Sequence, residues 1–168
     1  MKKVFKICAL FLCLGQSSVS WASSAANAPT TCTIKTYDGH YLTAIGGGGR
    51  TFNVLATNRT VWKTWERFTL IDLGEGSSIF AIKTYSGHYL SAQGGGGRTT
   101  DVIHSNRTQV LAWEKFRVLH QYGNTYAIQT YNGNYLTAVN SGGLATNPVH
   151  SNATMIGTWE MWRLVCGI

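Results

Sequence analysis

Two short stretches combine side chains suited to holding a polyhydroxylated ligand. They are Ile103-His104-Ser105-Asn106 and Val149-His150-Ser151-Asn152. A third stretch, Leu55-Ala56-Thr57-Asn58, has the same pattern with alanine in place of the histidine. An amide donates and accepts hydrogen bonds at once, and a neutral imidazole does the same through its two nitrogens. Ahead of each stretch runs a polypeptide rich in glycine: Gly46 to Gly49, Gly94 to Gly97, and Asn140-Ser141-Gly142-Gly143. One glycine supplies a turn with positive φ. Four in a row exceed that need, and they leave a backbone that a ligand can approach closely. The candidate ligand contacts are therefore Gly46, Gly47, Asn58, Gly94, Gly95, Arg98, His104, Asn106, Gly142, Gly143, His150 and Asn152. Each has a plainer alternative. The glycine runs can be mobile surface loops, and the asparagines can close Asx turns. Arg50 and Arg98 can pair with Glu66 or Glu114. Asn-x-Thr recurs at Asn58, Asn106 and Asn152, so a eukaryotic secretory route would make these glycosylation acceptors.

Catalysis finds little material. Asp and Glu together number 7. Glu66, Glu114 and Glu160 occupy equivalent places in a repeat and are expected to lie far apart. A paired-carboxylate hydrolase needs two such groups within roughly 5–10 Å. No nucleophile elbow or P-loop occurs, and no metal or cofactor is expected. A phosphate site is disfavoured because no helix start follows the glycines.

The elements that position these residues come in three copies. The first opens Ile34-Lys35-Thr36-Tyr37-Asp38-Gly39-His40-Tyr41-Leu42-Thr43-Ala44 and closes Trp65-Glu66-Arg67-Phe68. The second opens at Ile82 and closes Trp113-Glu114-Lys115-Phe116. The third opens at Ile128 and closes Trp159-Glu160-Met161-Trp162. From first tyrosine to closing tryptophan the copies align without a gap, so one structural unit of about 46 residues is repeated. Runs rich in Ile, Val, Thr, Tyr and Phe between Gly, Asn and Asp read as strands, near 33–37, 41–44, 53–56 and 67–72 in the first copy. Asp38-Gly39 marks a tight hairpin, repeated at Gly87 and Gly133. Three units are too few for a propeller, which has typically 4–8 blades. A solenoid would need distinct caps. What remains is an all-β fold, a closed barrel with a hairpin cap: the β-trefoil. Repeats at 32–77, 78–124 and 125–168 make up its domain. Phe68, Phe116 and Trp162, with Leu42, Leu90 and Leu136, are expected to fill the barrel. Trp65, Trp113 and Trp159 are assigned to packing, although sugar rings stack well on indoles. His40 and His88 are placed on solvated hairpin tips. Trp62 is not repeated and is free to make a surface contact.

The chain begins as an exported protein does. Lys2, Lys3 and Lys6 precede the apolar run Ile7–Leu14, and Ser20-Trp21-Ala22 offers a cleavage site. Residues 1–22 are thus read as a signal peptide and 23–31 as a flexible segment before the domain. The apolar run is too short to span a bilayer, which takes roughly 20 residues, so no integral membrane protein is expected. Losing three lysines takes the formal charge of +7 to +4. No Lys/Arg run remains to form a nucleic-acid groove. Cys8 and Cys13 leave with the leader. Cys32 and Cys166, near the two ends of the domain, are expected to form a disulfide in a secreted, periplasmic or extracellular setting.

Gly-His-Tyr-Leu-x-Ala, followed by a glycine loop and closed by Trp-Glu-x-Phe, resembles the fascin-like β-trefoil domains over residues 32–168. That resemblance implies either actin bundling or carbohydrate binding, and export favours the latter unless the protein is delivered into a host cell. A looser similarity links Gly94-Gly95 with His104, and Gly142-Gly143 with His150, to β-trefoil lectins that read galactose-type sugars. In those lectins an acid stands where Asn106 and Asn152 stand here. The expectation is a secreted, non-enzymatic, lectin-like protein with up to three repeat-related sites for glycans or glycoconjugates. The alternative partner is a protein, as for a toxin delivery subunit or a protease inhibitor. That reading predicts one asymmetric site near Trp62 and Asn140-Ser141.

Overall fold

A computed structural model describes residues 28–75 and 78–168. The leader assigned to 1–22 lies outside the described residues, as does most of 23–31.

Each unit contributes four strands. The first has β1 (Thr30–Lys35), β2 (Tyr41–Ala44), β3 (Leu55–Arg59) and β4 (Arg67–Asp72). The second has β5 (Ile79–Thr84), β6 (Tyr89–Ala92), β7 (Ile103–Arg107) and β8 (Lys115–Tyr122). The third has β9 (Thr125–Gln129), β10 (Tyr135–Ala138), β11 (Val149–Ala153) and β12 (Met161–Cys166). The outer strands of the units pair antiparallel in a closed ring: β1 with β4, β4 with β5, β5 with β8, β8 with β9, β9 with β12, and β12 back to β1. The inner strands form the hairpins β2–β3, β6–β7 and β10–β11. A six-stranded barrel capped by three hairpins is a β-trefoil, as the repeat requires.

The alternation of each barrel strand explains the core. In β4, Phe68 and Leu70 point inward between less buried neighbours, as do Phe116 and Val118 in β8 and Trp162 and Leu164 in β12. Phe68, Phe116 and Trp162 are fully buried, and Leu42, Leu90 and Leu136 pack with them as expected. The Trp162 indole N–H donates to the Leu136 carbonyl at 3.0 Å, so the one polar atom this ring brings inside is satisfied. Ile34, Ile82 and Ile128 complete the threefold set.

Cys32 and Cys166 are bonded and face each other in the β1–β12 register. The disulfide joins the strands at which the barrel closes. In the other units the position of Cys32 is held by Phe80 and Tyr126, which pack against the same core.

Two strands differ from the sequence reading, and β1 runs 30–35 rather than 33–37. β1 starts at Thr30, where it pairs with Leu70 of β4, so strand structure begins inside the segment read as flexible. β3 runs 55–59 rather than 53–56, because Asn53 adopts φ +45 and the Val54 carbonyl accepts from the Ile45 amide. That turn delays the strand.

Candidate functional site

Each glycine run leaves the end of a short strand and reaches across to the next unit. Ile45–Gly47, Gln93–Gly95 and Val139–Ser141 form single 3-10 turns. The residue after each is Gly48, Gly96 or Gly142, with φ between +111 and +114. From there the backbone bonds to its neighbour. The Gly47 carbonyl accepts from the Ser86 amide at 2.9 Å, the Gly49 amide donates to the Ser105 carbonyl at 2.7 Å, and the Ser105 amide returns to the Arg50 carbonyl at 2.8 Å. The second run meets Asn132 and Ser151 in the same way, and the third meets Thr57. The glycine runs are therefore the latches between units. A Cβ on Gly48 would collide with Thr84, one on Gly96 with Thr130, and one on Gly142 with Thr36.

This arrangement relocates His40 and His88. The His88 ring lies against Gly49 and that of His40 against Gly143, each part of a seam rather than a solvated tip. His88 Nδ1 lies 3.0 Å from the Ser86 hydroxyl.

The recurring geometry of the closing motif comes from its glutamates. Glu66 Oε2 accepts from the Lys63 amide at 2.7 Å and Oε1 from the Thr43 hydroxyl at 2.8 Å. Glu160 does the same with Gly157 and Thr137. Glu114 caps Leu111 and has Arg107 at 3.8 Å. All three are buried, each in its own unit. Arg50 and Arg98 do not reach them. Their Nε atoms donate to the Phe52 and Thr100 carbonyls, and Arg98 also approaches Asp101 at 3.7 Å. Glu66→Ala leaves the Lys63 amide and the buried Thr43 hydroxyl unpaired, so it is expected to cost about 2–4 kcal/mol. Urea unfolding followed by circular dichroism reads this directly.

Of the polar candidates, the structure gathers Arg98 and His104 around one acid. His104 Nε2 lies 2.7 Å from Asp101, which takes φ +49. In the third unit Asn147 replaces the acid, and its amide lies 3.1 Å from His150 Nε2. Asn58, Asn106 and Asn152 are exposed on β3, β7 and β11. Trp62 is partly exposed, with the Arg67 guanidinium 4.9 Å from its ring centre.

The tryptophans pack only in part. Trp65, Trp113 and Trp159 are 41%, 40% and 43% exposed. Each rides on a 3-10 turn whose following glutamate is buried, and this holds the indole out. Tyr85 is also exposed, at 61%. It belongs to the next unit, yet Gly47 lies between them: its Cβ position is 3.6 Å from Trp65 Cδ1 and 3.8 Å from Tyr85 Cδ1. Two exposed rings from different units thus flank a glycine. Trp113 and Tyr131 hold the equivalent places at the second seam, where the Asn132 side chain donates to the Gly94 carbonyl and lies against Gly95. At the third, Ser141 replaces the glycine and Arg163 approaches Tyr37. The tyrosines escaped the sequence reading. Their signal was a tyrosine just outside the strand and two residues before the hairpin glycine, where it faces outward.

Among the described residues no cluster of three His, Cys, Asp or Glu side chains could hold a metal. No helix among them is long and apolar enough to cross a membrane.

The sequence matches no family model, and no curated protein matches it. Solved structures do. A designed threefold-symmetric protein, ThreeFoil, superposes with a TM-score of 0.68 at 15% identity over 80% of this chain and 97% of its own. The Rhizoctonia solani agglutinin gives 0.62 at 14% identity over 82% and 94%. SeviL, solved with the asialo-GM1 saccharide, gives 0.60 at 10% identity over 83% and 99%. At these identities the likeness establishes the fold. The chain is a β-trefoil whose structural neighbours include sugar-binding lectins.

Proposed function

We propose that the protein is an exported carbohydrate-binding module that holds glycans without cutting them. The observation that carries the reading is the pair of exposed rings, Trp65 and Tyr85, on either side of the buried Gly47. Exposed aromatic rings set side by side are costly to leave in water, and they suit a partner with an apolar face and a polar edge. A pyranose ring has both. Gly47 is buried between Trp65 and Tyr85, so no side chain stands between the two rings. Asn58, Asn106 and Asn152, with Arg98, His104 and His150, supply hydroxyl partners around the three seams. The buried glutamates serve as caps, which fits binding without hydrolysis. Export agrees with the basic and apolar start of the chain and with a disulfide, which reducing compartments disfavour.

The three seams are not equal. The first has only glycine between its rings, the second has the Asn132 side chain against its glycine, and the third has Ser141. Sites of unequal strength on one rigid body raise avidity for branched or clustered glycans. Trp65→Ala is expected to weaken binding of the best glycan by about 2 kcal/mol, roughly thirtyfold. Trp159→Ala is expected to cost much less. Calorimetry of both variants on one glycan checks the order, and equal losses would show that the residue between the rings does not matter.

A further inference from the structure

A cavity of about 290 Å³ opens where the three β2–β3-type loops converge, lined equally by all three units and by none of the seam glycines or tryptophans. All three units line it, with equivalent residues in each. Its floor is aliphatic: Val54 and Leu55, Val102 and Ile103, Pro148 and Val149. All are buried, and all but Pro148 belong to the barrel core. Its mouth is polar. Asn53, Asp101 and Asn147 stand there with φ +45, +49 and +47, a strained left-handed backbone repeated in every unit. Thr100 and Thr146 add hydroxyls, and in the first unit their place is taken by Phe52, which is 75% exposed.

We infer that this shared cavity binds one uncharged amphiphile, with a short alkyl chain on the aliphatic floor and a hydroxyl head at the threonine and asparagine mouth. Size fits: a dry cavity of ~150 Å³ already holds a benzene ring. Charge decides the head group. The lining holds one charged side chain, Asp101, and it is engaged by His104 at 2.7 Å and Arg98 at 3.7 Å. No lysine or arginine lines the cavity to receive a carboxylate. A carboxylate at this mouth would lose water beside Asp101, and the nearest arginines, Arg50 and Arg98, are held by the Phe52 and Thr100 carbonyls through their Nε atoms. Phe52, on one side only, would lie along the chain and shield it.

The test uses 1-octanol and octanoate, which share a chain and differ in charge. Titration of the protein with 1-octanol, followed by calorimetry and by NMR shifts of the valine methyls, should saturate at one molecule per chain. Octanoate should bind at least about tenfold more weakly. Thr146→Trp and Thr100→Trp each place an indole in the mouth from a different unit, on exposed positions that leave the core intact. Either should abolish octanol binding, while Trp65→Ala should leave it unchanged. Failure of octanol to saturate, equal affinity for octanoate, or undiminished binding in both mouth variants would each overturn the assignment.

Discussion

Replacing Gly48 by alanine is expected to lower the thermal midpoint by roughly 10 °C. Two costs add. Gly48 takes φ +114 and ψ −165, a region populated by glycine almost alone, at a cost of about 1–3 kcal/mol for any other residue. Its new Cβ would also collide with the Thr84 side chain, which is buried and closes the seam between units. Overpacking of that kind costs about 1–3 kcal/mol more. At about 2–4 °C per kcal/mol for a chain of this size, the sum is a large shift. Gly39 provides the control. It has φ +89 but nothing within 4 Å of a Cβ, so Gly39→Ala is expected to cost only about 1 kcal/mol. Thermal unfolding by circular dichroism separates the two. Equal, small shifts would mean that the glycine runs are loose loops and not latches.

Removing the disulfide is expected to have an effect of similar size. Cys32 and Cys166 are separated by 134 positions and close nearly the whole described domain into one covalent loop. The chain-entropy model assigns a loop of this length roughly 5 kcal/mol, though measured values often fall below it. The bond lies where β1 meets β12, so its loss frees both chain ends at one seam of the barrel. The double variant Cys32→Ser/Cys166→Ser is expected to remain folded near room temperature and to unfold about 10–15 °C earlier. Reduction with dithiothreitol should reproduce that shift in the wild-type protein and leave the variant unmoved. A wild-type midpoint unaffected by reductant would show that strand pairing alone holds the closure.

The barrel was legible because its code is periodic. Phe68, Phe116 and Trp162 recur at a fixed offset from Gly39, Gly87 and Gly133, and burial at one position of a repeat implies burial at all. The disulfide was legible because the cysteines sit where a ring must close. The site was less so, because its parts come from different units. Gly47 is read with its own Trp65, yet its carbonyl serves Ser86 and its other flank is Tyr85. Nothing in a single copy says that the next copy will complete it. The same blindness placed His88 in solvent when it lies on Gly49. Trp65 misled for a different reason. A tryptophan at a fixed place in every copy looks like core, but the adjacent Glu66 turns inward as a cap, and a 3-10 turn then sends its neighbour outward.

The central claim is that the aromatic seams hold sugar. The most direct measurement is a glycan-array screen of the protein, followed by titration calorimetry of the strongest hit against wild type and Trp65→Ala. Sugar binding with a stoichiometry between one and three, weakened roughly thirtyfold by Trp65→Ala in a protein of unchanged thermal stability, is the predicted result. An array without hits at high protein concentration, or a hit indifferent to Trp65, would contradict it.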